Sequence, residues 1–154
     1  MTPSDILAQV KAGCGDALTA AEATEKQLLF AVKPEKSVEL CEILRARGFE
    51  YLNCLSGVDW IGEQQMEVVY HLSSLASPLK ATVKVRVSRD APVVRSVVPI
   101  WPGANWHERE VYDLFGIRFE GHPDHRRILL SEDWEGYPLR KDYVDERFVP
   151  YTPL

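Results

Sequence analysis

The sequence has little of what redox, metal and membrane chemistry usually needs. Of its 154 residues only three are cysteine, Cys14, Cys41 and Cys54, and no two of them form a CxxC pair. That spacing argues against a zinc site, an iron–sulfur cluster or a disulfide framework. The thiols read instead as reduced and mostly buried. No apolar run approaches the ~20 residues that cross a bilayer. The opening stretch MTPSDILAQVKAG lacks the basic start and apolar block of a secretory signal. It reads as a helix capped by Ser4 or Asp5. Positive charge is short as well: 18 Lys and Arg stand against 23 Asp and Glu, a formal net charge of −5. Phosphate backbones are bound by a surplus of cations, so a generic nucleic-acid binder is disfavoured. A Gly-rich phosphate loop and a nucleophile elbow are also missing. These absences predict a cytoplasmic protein whose membrane contact comes only through partners.

What is present is an ordinary globular composition, 45% hydrophobic and 27% charged, on a chain long enough for one core. Up to about residue 100 the pattern is that of an α+β domain. Leu28–Val32 is a short apolar run suited to a buried strand. Pro34 suits the first position of a helix that stops at Gly48, with Leu40, Cys41 and Leu44 on one face. A strand is expected around Phe49–Trp60. After a turn containing Gly62, a second strand spans Gln65–Ser73, where Met66, Val68, Tyr70 and Leu72 alternate with the rest. A third spans Lys80–Ser88, with Ala81, Val83, Val85 and Val87 facing one way and Lys80, Thr82, Lys84 and Arg86 the other. Three strands joined by short loops predict an antiparallel meander, one face packed on helices.

From Arg95 the character changes. A helix is expected from Asn105 or Trp106, with Asn105 as N-cap, Glu108 three residues on and Gly116 as the stop. Beyond it no period of 3.6 or 2 is sustained. A long irregular stretch is usually functional or disordered. Phe115, Phe119, Trp134, Tyr137 and Tyr143 are costly to leave in water, so an arm that orders itself against another surface is the better reading. The expected fold is therefore α+β: a mostly antiparallel sheet of about four strands with helices on one face, followed by an irregular C-terminal arm. The division is a core over 1–116 and a docking arm over 117–154. The tail VDERFVPYTPL, with Phe148 and Tyr151, reads as an extended strap.

The charges of NWHEREVYDLFG, residues 105–116, admit several readings. Arg109 and Asp113 are four apart and could pair, and Val111 and Phe115 form an apolar seam. Alone, this helix reads as a solvated face with weak ion pairs. His107-Glu108 begins HEREV, with Val111 where a metalloprotease helix needs its second His. His122 and His125 are three apart, but Pro123 between them opposes a regular metal-binding presentation. Arg126-Arg127 and Arg140-Lys141 lie among Asp124, Glu132, Asp133, Glu135 and Asp142, which suits a mixed-sign network that orients rather than reacts. From the residues alone, an independent hydrolase using His107, Glu108, Glu110 and His122 and a nucleic-acid adaptor using the two basic pairs remain as rivals.

The string EREVYDLFGIRFEGHPDHRRILLSEDWEGYPLRKDY, residues 108–143, resembles the signature of the 30 kDa subunit family of complex I. The resemblance continues upstream through IWPGANW (100–106), VVYHLSS (68–74) and LSGVDW (55–60). It implies a non-catalytic subunit in the peripheral arm of proton-translocating NADH:quinone oxidoreductase, on the cytoplasmic side of the inner membrane. It further implies docking against the large quinone-site subunit and neighbouring iron–sulfur subunits. FMN, iron–sulfur clusters, NADH and quinone would be held by those partners, with no catalytic, cofactor or metal site on this chain. Without cluster ligands the chain would carry no electrons itself. A related membrane-bound hydrogenase or ferredoxin-linked complex is the nearest alternative parent. By motif match, the characteristic positions are Glu108, Arg109, Glu110, Asp113, His122, Arg126, Arg127, Arg140, Lys141 and Asp142, with architectural or docking roles. Two positions depart from the pattern: His125, where an apolar residue is usual, and Ser131, where Pro is common.

Overall fold

In the computed structural model, which describes residues 2–147, alternation of apolar side chains sets the sheet. β1 (Leu18–Ala23), β2 (Gln27–Val32), β3 (Tyr51–Trp60), β4 (Gln65–Ser73) and β5 (Lys80–Ser88) lie in the order β1-β2-β5-β4-β3. The β3-β4-β5 meander is antiparallel, as expected. Met66, Val68, Tyr70 and Leu72 of β4 and Ala81, Val83, Val85 and Val87 of β5 are all buried. β2 joins β5 in parallel, with Leu28 beside Ala81, Phe30 beside Val83 and Val32 beside Val85, so its three buried side chains extend the same apolar face. β1 then pairs antiparallel with β2. The sheet is thus mostly antiparallel, with one strand more than expected. β1 reads LTAAEA, and its alanines carry neither the branching nor the alternation that marks a strand. Its pairing comes from the hairpin with β2 rather than from its own propensity.

Three α-helices belong to the core. α1 (Pro3–Cys14) buries Ile6, Val10 and Cys14, and α2 (Ser37–Ala46) buries Leu40, Cys41 and Leu44, the face expected from sequence. The cap of α1 is Thr2 rather than Ser4 or Asp5. Its hydroxyl accepts the Asp5 N–H at 3.2 Å while the Asp5 carboxylate accepts the Thr2 N–H at 2.8 Å. Pro3, whose φ suits the first helical position, moves the start forward. α3 (Ala104–Phe115) likewise starts earlier than expected, after Gly103, with no side-chain cap. Gly116 ends it at φ +76, its N–H donated to the Tyr112 carbonyl at 2.8 Å. β6 (Val93–Arg95) and β7 (Arg118–Glu120) form a small parallel pair. Ile117 and Phe119 are buried in the same cluster as the sheet, so the core continues past Gly116. From Gly121 to Arg147 the chain is irregular and built of turns. The strap expected around Phe148 and Tyr151 lies outside the described residues.

Gly57 is what allows α3 to sit so close to β3. A Cβ there would stand 2.8 Å from Phe115 Cδ2 and 3.1 Å from Val111 Cγ1. The apolar seam of α3 therefore packs on bare backbone. Gly57→Val should destabilise the fold by about 1–3 kcal/mol through overpacking, read as a lowered denaturant midpoint with an unchanged m-value.

Candidate functional site

Three charged side chains of α3, Glu108, Arg109 and Asp113, are buried, and the last two meet the main chain of the arm. Asp113 has no exposed surface. Its Oδ2 accepts three consecutive backbone N–H groups, from Ile128 (3.0 Å), Leu129 (2.7 Å) and Leu130 (2.9 Å). Its Oδ1 accepts from Arg127 Nη1 at 2.7 Å. Burial alone would raise the pKa of this carboxyl. The three amides and the guanidinium outweigh it, and the group lies below the usual carboxylate range. Arg127 also donates to the carbonyls of Asp113 (2.9 Å), Trp134 (3.1 Å) and Gly136 (2.9 Å). One ion pair thus organises three chain segments, α3, 127–130 and 134–136.

Arg109 does not pair with Asp113, contrary to the i,i+4 expectation. It lies under the arm, donating to the Arg126 carbonyl at 3.1 Å and the Arg127 carbonyl at 3.0 Å, with Asp124 3.5 Å away. Glu108, also fully buried, accepts the Ser96 hydroxyl at 2.7 Å and the Val97 N–H at 2.7 Å. It therefore anchors the turn before α3 instead of completing a capping box with Asn105. Burial pushes its carboxyl up to about 7, although the two hydrogen bonds pull the other way. His122 Nε2 lies 4.0 Å from Glu108 and 3.1 Å from the Asn105 carbonyl, its side chain fully enclosed. The reading of α3 as a solvated face is thus overturned for Glu108, Arg109 and Asp113.

A second anchor joins the arm to the sheet. Arg89, just beyond β5, grips Asp59 of β3 through Nε (2.8 Å) and Nη2 (3.0 Å), and reaches Asp142 through Nη1 at 3.0 Å. The Lys141 N–H is donated to Asp59 Oδ2 at 2.9 Å. Arg89 draws the pKa of both aspartates down. Arg140 donates to the Phe115 carbonyl at 2.7 Å and lies over the Tyr137 ring at 5.1 Å.

Of the motif positions, Glu108, Arg109, Asp113, His122, Arg127, Arg140 and Asp142 converge on this joint between α3, the sheet and the arm. Arg126 is more peripheral: it chelates Asp124 at 2.8 and 3.1 Å, and its side chain is 63% exposed. Glu110 is exposed, and so is Lys141; among the described residues neither side chain has an ion-pair partner. Asp59, Arg89 and Ser96 were not singled out from sequence as site residues. A signal existed for Arg89, a cation placed where the clean alternation of β5 ends. The departures from the motif find places too. His125 accepts the Phe119 N–H, and the Ser131 carbonyl accepts the Trp134 N–H at 3.0 Å.

Residues 30–149 match the family described as respiratory-chain NADH dehydrogenase, 30 Kd subunit. The chain is 46% identical over 141 residues to a NADH-quinone oxidoreductase subunit of Roseiflexus castenholzii, covering 89% of this chain and 81% of that one. It is also 46% identical over 147 residues to the same-named subunit from Chlorobium phaeobacteroides, covering 89% of both. Among solved structures, it superposes on a chain of the membrane-bound sulfane sulfur reductase, an archaeal respiratory membrane complex, with TM-score 0.79 and 29% identity. That superposition covers 92% of this chain and 85% of the other. A trypsin-resistant fragment of Nqo5 superposes with TM-score 0.68 and 32% identity, over 80% of this chain and 99% of the fragment.

Two outcomes follow from the buried carboxylates. Asp113→Ala removes the acceptor of three amides and strands Arg127, and should cost roughly 3–5 kcal/mol in chemical denaturation, whereas Glu110→Ala should stay within about 0.5 kcal/mol. Glu108 behaves with the opposite sign to the paired aspartates. Between its unfolded value near 4.5 and about 7 the folded chain holds a proton that the unfolded chain has lost. Its contribution is fully present below the lower value and is lost as pH rises through the upper one. In Glu108→Gln that loss should vanish from the stability–pH curve between pH 4.5 and 7.

Proposed function

The chain belongs to the 30 kDa subunit family of respiratory-chain NADH dehydrogenase, and from that premise we propose that it is a non-catalytic subunit in the peripheral arm of a proton-translocating NADH:quinone oxidoreductase. In this reading it helps assemble the quinone-site and iron–sulfur subunits, which hold the FMN, clusters, NADH and quinone. It sits on the cytoplasmic side of the inner membrane and reaches the membrane through those partners. Among the described residues, no helix is long and apolar enough to cross a membrane.

The observation that carries the reading is the use made of the motif's charged groups. The carboxylates and guanidinia that could serve acid–base chemistry accept or donate hydrogen bonds inside the chain, and the function they serve is to hold an irregular arm in one conformation. Of the hydrolase reading's residues, His122 accepts the Asp124 N–H through Nδ1 and Glu108 accepts from Ser96 and Val97. The thiols of Cys14 and Cys41 are raised by burial, which favours the inert protonated form. On the outer side of the arm, the side chains of Leu129, Leu139 and Val144 leave large apolar surface in water, as a component of a larger assembly does. Of the ten motif positions, Glu110 and Lys141 are the best placed to meet a partner, because both are exposed and neither side chain has an ion pair or hydrogen bond recorded among the described residues.

A second reading is favoured by the likeness to the sulfane sulfur reductase chain: the same module would serve another membrane-bound respiratory complex, whose electron donor binds elsewhere. Mass spectrometry of the detergent-solubilised complex purified through this chain separates the two. A flavin-bearing NADH module among the co-purified subunits supports the first reading and a membrane-bound redox complex without that module the alternative, while recovery of the chain alone counts against both. Within the complex, Glu110→Lys or Lys141→Glu should lower recovery of assembled complex severalfold, with the melting temperature of the isolated chain unchanged. Equal loss in both measurements would place these residues in the domain's own framework.

A further inference from the structure

Two imidazoles hold the turn that follows β7, and each does so through a ring lone pair. His125 Nε2 accepts the Phe119 N–H at 2.9 Å, and His122 Nδ1 accepts the Asp124 N–H at 2.9 Å. His122 Nε2 is then left to donate, and the Asn105 carbonyl in the first turn of α3 lies 3.1 Å from it. A ring nitrogen that accepts a main-chain N–H cannot itself carry a proton, so this arrangement requires both rings to be neutral. We propose that residues 119–126 form a proton-sensitive joint, in which protonation of His122 and His125 removes both acceptors and loosens the turn that follows β7.

The surroundings of His125 favour its neutral ring. From α3, Tyr112 lies against His125 with ring centroids 4.2 Å apart, and Glu108 is the nearest anion to His122, 4.0 Å away. From β7, Arg118 stands beside His125 and opposes a second positive charge, with Glu120 lining the same cavity. From the turn itself, Asp124 faces His122 but is already chelated by Arg126 and approached by Arg109. The two imidazoles pack edge to face at 5.7 Å, so charging one disfavours charging the other. Burial, then His122, then Arg118 hold the His125 pKa below the ordinary histidine range. Glu108 takes up its own proton near 7 and therefore supplies less negative charge as the solution becomes acidic. For a base whose folded pKa is depressed, the stabilisation is present above the unfolded value and is lost as pH falls through it and towards the folded value. An apolar side chain in place of His125 could fill the space against Tyr112 but could not accept the Phe119 N–H.

Amide hydrogen exchange by NMR on the full chain tests the joint, with protection factors corrected for intrinsic exchange between about pH 8 and pH 5 and imidazole C–H shifts followed in parallel. Phe119 and Asp124 amides should lose protection together with imidazole titration, about tenfold per pH unit for each proton bound, while β4 and β5 amides stay protected. His125→Gln and His122→Gln each supply an acceptor that does not titrate, and should keep the corresponding amide protected to the acidic end of that range. His125→Phe should leave the Phe119 amide unprotected even at the alkaline end. The proposal is overturned if both amides in the unmodified chain stay protected throughout. It is equally overturned if their loss coincides with that of β4 and β5, or if the glutamine variants lose protection at the same pH as the histidines.

Discussion

The rest of this molecule depends on how one buried carboxylate, Asp113, is satisfied. An ion taken out of water costs several kcal/mol unless its lone pairs are filled. Three consecutive amides and the Arg127 guanidinium fill them here. The same bonds serve the other side: residues 128–130 lie in neither helix nor strand, and their N–H groups would otherwise need partners. Anion and irregular chain are therefore solutions to each other's problem.

Glu108 and Asp59 repeat this logic at other points of the joint. Glu108 holds the turn at Ser96 and Val97, and Asp59 holds Lys141 while Arg89 bridges it to Asp142. Arg109, Arg127 and Arg140 do the converse, each donating to main-chain carbonyls. Side chains thus replace the ladder of hydrogen bonds that secondary structure would supply. A segment built this way can present an irregular surface in a fixed shape, which suits recognition by a partner better than a flexible tail would. The side chains expected to face a partner are engaged first within the chain. What is left outward, such as Trp106 at 64% exposure, Glu110 and Lys141, is a smaller and different set.

Much of the sheet was legible because burial on one face imposes a period of two, which the apolar residues of β2, β4 and β5 keep. β1 was not, because an alanine-rich edge strand acquires its conformation from its neighbour. The start of α3 was misplaced for a related reason. Asn105 and Glu108 look like a capping pair in isolation, but Glu108 is drawn inward by Ser96 and Val97, a contact no local rule contains.

The sequence by itself determined the α+β class, the meander with its buried face, the stop at Gly116 and the family to which the charged motif belongs. These follow from periodicity, turn chemistry and residues in register along one chain. Only the tertiary structure decided what the charges do. Arg109 and Asp113 stand one helical turn apart, and spacing alone would pair them. Each instead meets a closer, better-directed partner well further along the chain, Arg109 the carbonyls of Arg126 and Arg127, Asp113 the amides of 128–130 and the Arg127 guanidinium. Burial makes those contacts stronger than any pairing in water. Hydrogen bonds between distant segments depend on where the backbone returns, and that return is a property of the packed chain.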